Sequence, residues 1–190
     1  MSIGELVVRK RDAAATRASL LAAATARFAS EAYDGVSLRA IASDVGVDVS
    51  LVSRYFGSKE DLFVAVLDAC PPPDGFFHGN PADFGERISR MLVDEPLENE
   101  KLDVILVMLR SASHPCAAEA IRKSGEERFY GPFERWLGGK HAAERVRVAA
   151  GLIKGVVIDR HINGDFGLSD GERERFRKRL ARLLQAAIEE

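Results

Sequence analysis

The chain has 190 residues, of which 46% are hydrophobic and 29% charged, and its formal net charge is −2. This composition can build a sizeable buried interior, which excludes an intrinsically disordered chain. The small net charge excludes a globally basic nucleic-acid-binding protein, so any DNA-binding charge has to be local.

Cysteine usage and hydropathy limit the compartment. Cys70 and Cys116 are the only cysteines and lie far apart in the chain, which argues against a disulfide framework and fits a reducing environment. The apolar residues at the start are too scattered for a signal peptide, and no run approaches the ~18 apolar residues of a membrane span. We therefore expect a cytoplasmic protein with no membrane partner.

Residues 13–31 predict the first helix. Leu20, Ala24 and Phe28 recur there at helical intervals in an alanine-rich stretch. Between residues 9 and 27, basic side chains face a single acid, Asp12. This cluster indicates either a local DNA-binding charge or a solvated helix start. Its members are Arg9, Lys10, Arg11, Arg17 and Arg27.

Three short helices follow. Ser37 is the predicted N-cap of a helix that ends at Gly46, and Asp48 is the N-cap of a helix that ends at Gly57. Residues 58–61, SKED, resemble a capping box and begin the fourth helix.

The two middle helices and their turn predict a helix-turn-helix over residues 37–56. On a helical wheel of the second helix, Val52 and Phe56 face the neighbouring helices. The opposite side, which is free to meet a DNA groove, carries Ser50, Leu51 and Arg54.

Side-chain chemistry assigns the contacts of this motif. Arg54 suits a guanine edge or a phosphate, whereas Val49 and Leu51 suit thymine methyl groups. Ser37 suits a phosphate oxygen, and Lys59 suits the DNA backbone. For any single residue the alternative is a solvated helix position. The predicted DNA-binding set is Ser37, Arg39, Val49, Ser50, Leu51, Ser53, Arg54, Tyr55 and Lys59.

A proline- and glycine-rich stretch, PPPDGFFHGNP over residues 71–81, cannot continue a helix. It predicts a boundary between an N-terminal domain, 1–70, and a C-terminal domain, 71–190. The fold class is therefore all-α, with about nine helices. We expect a kink at Pro132, and the helices of the second domain are predicted at 82–94, 101–112, 116–137, 141–163 and 170–188.

The last two predicted helices suggest a dimer interface. Gly151 and Gly155 lie four residues apart on a helix that is apolar nearly all round, so another helix can approach closely. The last helix carries an apolar stripe, and two copies of the pair can form a four-helix bundle. The alternative is a close contact within one subunit. The predicted interface residues are Gly151, Gly155, Phe176, Leu180, Leu184 and Ile188.

A ligand pocket in the C-terminal domain is the other expectation. Methionines and aromatic residues at helical spacing predict either a plain core or the wall of a pocket for an apolar or amphipathic small molecule. The candidates are Met91, Met108, Phe129, Phe133, Trp136, Leu152 and Val156.

Catalytic and metal-binding patterns have little support. His114 and Cys116 are two residues apart, but no further cysteine or histidine lies at ligand spacing. No GxSxG, HExxH or Walker sequence occurs. We therefore expect a protein that is not an enzyme and that needs neither a cofactor nor a metal.

The first 70 residues resemble the DNA-binding domain of the TetR family of transcriptional regulators. Three segments carry the resemblance in the family's order and spacing: TRASLLAAATARF, YDGVSLRAIASDVGV and SLVSRYFGSKEDLF. The chain has Leu51 and Ser53 where many members have a threonine and a tyrosine that contact phosphates. LRSASHPCAAEAIR and AAGLIKGVVIDRHI resemble an actinobacterial subgroup of the same family.

The resemblance implies a homodimer that places two recognition helices about one DNA turn apart on a palindromic operator. It further implies a repressor that a small-molecule ligand releases from DNA. A DNA-organising or activating role is the alternative within this class. The alternative outside it is a dimeric small-molecule-binding protein or enzyme with a vestigial DNA head.

Overall fold

The fold is all α-helical over the part of the chain that a computed structural model describes, which is residues 3–69, 76–77, 79–96 and 100–190. Side chains are described throughout these ranges except at 3–12, 100–103 and 165. The helices are α1 (Ile3–Ser30), α2 (Leu38–Val45), α3 (Val49–Phe56), α4 (Lys59–Ala69), α5 (Phe84–Asp94), α6 (Glu100–Ser111), α7 (Pro115–Gly125), α8 (Gly131–Leu137), α9 (Ala142–Ile162) and α10 (Asp170–Ile188).

Helices α7 and α8 are continuous through a π-helical turn at Glu126–Tyr130, so these ranges contain nine helices, as predicted. The irregularity expected near Pro132 takes the form of this turn. Proline cannot donate to the carbonyl four residues earlier, and just before it the N–H of Gly131 reaches back five residues to the Glu126 carbonyl. Helix α1 begins ten residues before its predicted start, because nothing after Gly4 interrupts it.

The residues group into two compact units. The first contains Met1–Cys70 together with Leu106–Arg122. In this unit α1 packs against α2, α3 and α4, and its core includes the apolar positions that periodicity predicts. Val107, Ser111 and Ala117 of the later segment are also buried. The main core side chains are Leu20, Ala24, Phe28, Ile41, Val52, Phe56, Leu62, Phe63 and Val66.

The contiguous division at residues 70 and 71 stays a prediction, because residues 70–75 lie outside the described ranges. The compact units differ from it in assigning Leu106–Arg122 to the N-terminal helices. This assignment depends on contacts between residues far apart in the chain, which local periodicity does not encode.

The second unit contains Pro71–Ile105 and Lys123–Glu190. Helices α5 and α10 pack most closely in it, because Gly85 has no side chain. A Cβ atom at Gly85 would collide with the carbonyl oxygen of Ala181. The Gln185 amide also joins the two segments: its oxygen accepts from the Gly85 N–H at 3.0 Å, and its nitrogen donates to the Pro81 carbonyl at 3.1 Å.

The apolar stripe of α10 faces this core, which corrects part of the predicted dimer interface. Leu180, Leu184 and Ile188 are at most 4% exposed within a single chain, so their side chains cannot reach a partner subunit. They pack with α5 and α9 side chains, and Phe176 is partly buried against the same cluster. The contact within one subunit is therefore the correct alternative for this stripe.

The outward side of α9 is different. A Cβ atom at Gly151 or Gly155 would meet nothing within 4 Å, and both residues are exposed. Val148 and Ile162 on the same helix are 56% and 73% exposed.

Among the described helices, none combines the length and hydropathy needed to cross a lipid bilayer.

Candidate nucleic-acid interface

Local capping defines the two helices of the predicted motif. The Ser37 side chain accepts a hydrogen bond from the Ala40 N–H at 3.1 Å and caps α2. Gly46 then adopts a φ of +72°, a left-handed conformation that favours glycine. Its N–H bonds back to the end of α2. The turn therefore stops α2 and redirects the chain into α3.

Asp48 caps α3, and its carboxylate accepts from the Ser50 N–H at 2.8 Å. The Ser50 hydroxyl and N–H together lower the pKa of Asp48 below its usual value. A carboxylate at this helix start is also favoured by the helix dipole. The beginning of α3 is therefore well defined by its own sequence.

Helix α3 has one buried and one open side, as the helical wheel predicts. Val52 is fully buried and Phe56 nearly so. Ser50, Ser53 and Arg54 are exposed. Of the three side chains that the wheel places toward a DNA groove, Ser50 and Arg54 are therefore exposed, whereas Leu51 is only partly exposed.

The other predicted contacts are open to at least a partial extent. Ser37 and Arg39 are exposed at the start of α2. Partly exposed side chains complete the set of nine, and these are Val49, Leu51, Tyr55 and Lys59. The first compact unit thus contains all nine residues, and their contact with DNA stays a prediction.

The basic cluster near α1 is less uniform than the sequence indicates. Arg27 is not a free cation, because its guanidinium binds Asp44 at 2.5 and 2.8 Å and Glu31 at 2.8 Å. These bonds raise the pKa of Arg27, chiefly through Asp44, and connect α1 to α2. Arg17 is exposed and lies 4.7 Å from the centroid of the Phe56 ring. The predicted members Arg9, Lys10 and Arg11 lie outside the described side chains.

Lys59 has a neighbour that sequence reasoning missed. Its ammonium nitrogen lies 4.4 Å from the centroid of the Tyr33 ring, within the range of a cation–π interaction. The same ring lies 4.5 Å from the ring of His114, which follows α6. Burial raises the pKa of Tyr33 to about 12, and the Glu60 carboxylate adds to this increase. Nothing in the local sequence connects residue 114 with residues 33 and 59.

The predicted pocket residues fall in both compact units. Phe133 is fully buried, and its ring packs within 6 Å of Phe84, Phe129 and Trp136. Met108 lies in the first unit and the other candidates in the second. A groove of about 530 Å³ lies along α5, and Met91 is the one predicted pocket residue in its described lining. The pocket therefore stays a prediction.

The described lining of the groove combines charged and apolar side chains. Phe76, Ile88 and Met91 supply the apolar side. Glu86 on its edge accepts a hydrogen bond from Arg177 at 2.5 Å, which lowers the pKa of Glu86. Among the described residues, no group of three or more histidine, cysteine or acidic side chains is placed to hold a metal ion.

Two family models match the chain. The model described as bacterial regulatory proteins of the tetR family matches residues 20–66. The model described as a tetracyclin repressor-like C-terminal domain matches residues 82–188. The two matches cover the predicted DNA-binding head and more than half of the chain. None of the curated proteins is similar enough to this sequence to count as a match.

Solved structures share the fold over nearly the whole chain. NalD, the secondary repressor of the MexAB-OprM multidrug efflux pump in Pseudomonas aeruginosa, superposes with a TM-score of 0.68 at 20% identity, over 90% of this chain and 96% of that chain. A Rhodococcus transcriptional regulator superposes with a TM-score of 0.60 at 22% identity, over 90% of this chain and 93% of that chain. A putative TetR-family regulator from Mesorhizobium loti superposes with a TM-score of 0.54 at 20% identity, over 93% of this chain and 94% of that chain.

Proposed function

Because this chain belongs to the TetR family of bacterial regulatory proteins, we propose that it is a homodimeric repressor that binds a palindromic operator and leaves it when a small molecule binds. Family membership makes the chain a DNA-binding transcriptional regulator. Repression, the palindrome and release by a ligand are the proposed parts.

The open side of α3 is the observation that carries the DNA-binding proposal. Arg54 is exposed on that side beside Ser50 and Ser53, while Val52 and Phe56 hold the helix to its neighbours. A guanidinium presents a planar set of donors that fits the O6 and N7 atoms of guanine. We infer that Arg54 reads a base and that Lys59 holds a phosphate at the edge of the same site.

The dimer proposal is now restricted to the outward sides of the last two helices. Val148, Gly151 and Gly155 offer a small, apolar surface on α9. Leu183 is 57% exposed on α10, although Leu180, Leu184 and Ile188 of that helix are buried. Exposed apolar side chains favour association with another protein surface. We propose that these four residues contact the partner subunit.

The ligand proposal is an apolar or amphipathic small molecule that binds in the second unit. Support comes from the groove along α5, where Phe76, Ile88 and Met91 form an apolar side. The size of the groove, about 530 Å³, falls in the range of small-molecule sites, which is roughly 300–1,000 Å³.

Selection from a random DNA pool tests the proposed function. The full-length protein is incubated with random duplexes at near-physiological salt, and the bound DNA is sequenced. We expect an inverted repeat whose half-sites lie about one helical turn, roughly 10 bp, apart. Enrichment of no motif, or equal binding of scrambled duplexes, would contradict the proposal.

Two substitutions then distinguish contacts with DNA bases from contacts with the phosphate backbone. Arg54→Ala is expected to weaken the selected duplex by roughly 5- to 150-fold and to relax the preference at one base pair. Lys59→Ala is expected to weaken all duplexes alike and to reduce the slope of log K against log salt by about 0.9. The matched control is Arg122→Ala, which removes an exposed arginine that pairs with Glu119 on α7.

A further inference from the structure

The Tyr33 ring contacts residues from distant parts of the sequence. It is 3% exposed, and it packs edge-to-face against Phe63 with their centroids 5.2 Å apart. The Lys59 ammonium lies 4.4 Å from the ring centroid and the His114 ring 4.5 Å from it. His114 and Lys59 therefore contact the same side chain although 55 positions separate them in the sequence.

His114 occupies the corner between α6 and α7. Its N–H bonds to the Ser111 carbonyl at 3.1 Å, and its own carbonyl accepts from the Ala118 N–H at 2.8 Å. Its Nε2 atom lies 3.3 Å from a carboxylate oxygen of Asp34, the residue after Tyr33. Tyr33 and Asp34, two adjacent residues of the first compact unit, thus contact this imidazole.

Several polar atoms at this corner are buried without a partner. The Tyr33 hydroxyl, the His114 Nδ1 atom and the Ser111 hydroxyl make no hydrogen bond to any described residue. The Glu60 carboxylate contributes to the raised pKa of Tyr33, but no hydrogen bond joins it to the Tyr33 hydroxyl. Burying unpaired polar groups lowers stability. Stability alone therefore does not account for the histidine.

Lys59 remains able to contact DNA in this arrangement. An ammonium group has three donors, so contact with the face of an aromatic ring leaves donors for a phosphate oxygen. The ring also limits the positions of a long, flexible side chain. The orientation of Tyr33 therefore determines where the Lys59 charge lies.

We propose that His114 is a positioning residue for DNA binding: its imidazole holds Tyr33, and Tyr33 holds the ammonium of Lys59 where it meets a backbone phosphate. The inference rests on the proposed operator binding, and it adds a route by which that binding is regulated. A displacement of the corner between α6 and α7 weakens the phosphate contact of Lys59 without touching DNA.

A double-mutant cycle in the full-length protein tests this proposal. The probes are the selected operator duplex and a scrambled duplex of the same composition, and fluorescence anisotropy gives Kd over a range of salt concentrations. We expect His114→Ala to weaken both duplexes about fivefold and to reduce the salt slope by up to about 0.9. In the Lys59→Ala background the same substitution should have no further effect.

Conservative variants separate ring packing from general damage. His114→Phe keeps a flat ring against Tyr33 and should bind within about twofold of the wild type. His114→Leu fills the space without a flat ring and should weaken binding as much as His114→Ala does. If the alanine variant fails to fold, the leucine variant provides the same test. His141→Ala, which removes an exposed histidine of the second unit, is the control and should change nothing.

The outcomes distinguish this inference from the proposed function. Failure of the wild type to bind either duplex overturns both. A second outcome is that the wild type binds and Lys59→Ala weakens this binding. If His114→Ala and His114→Leu then have no effect, or the same effect in the wild-type and Lys59→Ala backgrounds, only the role of His114 is overturned.

Discussion

Helices α3 and α9 both leave one side open within the protomer, but the chemistry of the two open sides is opposite. Helix α3 has 8 residues and exposes two serines and Arg54. Helix α9 has 21 residues and exposes Val148 and two glycines. Polar groups remain hydrated until they meet a charged partner, whereas apolar groups gain by burial against another protein surface. The comparison therefore supports the proposals that α3 contacts DNA and that α9 contacts a second subunit.

The two helices also differ in how clearly their patterns indicate a buried side. The apolar residues of α3 lie in one narrow sector, so a helical wheel separates its two faces. Helix α9 is apolar nearly all round, so the wheel does not distinguish the side that faces the core from the side that faces a partner. Substitutions on the outward sides of these helices test the difference.

Gly155→Arg is the substitution with the largest expected effect. The protomer has open space at Gly155, so the arginine should leave the fold intact. In a close helix contact the charge would be buried without a partner, which costs about 3–5 kcal/mol, and the dimer should dissociate at least about 100-fold more readily. Sedimentation velocity over a concentration series measures this change.

Ala143→Arg is the matched control for the dimer test. Ala143 is exposed near the start of the same helix, about 120° around the helix axis from Gly155. It should leave the dimer unchanged. If Gly155→Arg also leaves dimer dissociation unchanged, α9 does not form the interface, and the contrast with α3 is wrong.

A pair of glycine substitutions sharpens the distinction between inward and outward sides. Gly85→Ala should lower the free energy of unfolding by about 3 kcal/mol, because the added methyl group collides with the Ala181 backbone in a packed interior. Gly155→Ala should raise the stability of the protomer by about 0.5–1 kcal/mol, because alanine favours a helix more than glycine does. Urea unfolding measures both, at a protein concentration low enough that sedimentation velocity shows monomers only.

Equal effects of these two alanines would contradict the assignment of Gly85 to the core and Gly155 to the open side. The test concerns the protomer alone. It therefore complements the dimer measurement, which depends on a second subunit.

Ser37 offers a smaller test on the DNA-binding side. Ser37→Ala removes the cap of α2 and should lower the free energy of unfolding by about 1 kcal/mol. Ser37→Asp keeps a good cap but places a negative charge where a phosphate is expected. It should retain stability and weaken all duplexes. Thermal unfolding and anisotropy together check the pair, and strong DNA binding by the aspartate variant would exclude Ser37 from the phosphate contacts.

Sequence reasoning predicted the recognition helix well because its signals are local. Ser37 and Asp48 cap the helices that directly follow them, and Gly46 takes the left-handed conformation that the turn requires. The side of α3 that carries Arg54 follows from the spacing of Val52 and Phe56 alone. The helix count is predictable for the same reason, since caps and prolines act within a few residues of themselves.

The errors concern residues whose role depends on distant neighbours. For Arg27 the sequence left open a local DNA-binding charge or a solvated helix start, but its guanidinium pairs with Asp44 of another helix. Leu184 was expected at a subunit interface, but it lies in the core of its own subunit. An apolar stripe fits an intramolecular or an intermolecular contact equally well, because both follow the same packing rules.

The sequence by itself determined an all-α chain, the number of its helices and the buried side of α3, because periodicity and capping act over a few residues. Only the tertiary structure decided that Leu106–Arg122 joins the N-terminal helices, that His114 meets Tyr33 beside Lys59, and which side of α9 remains uncovered. These features arise from contacts between residues far apart in the chain, and their partners become known only when the helices are packed together.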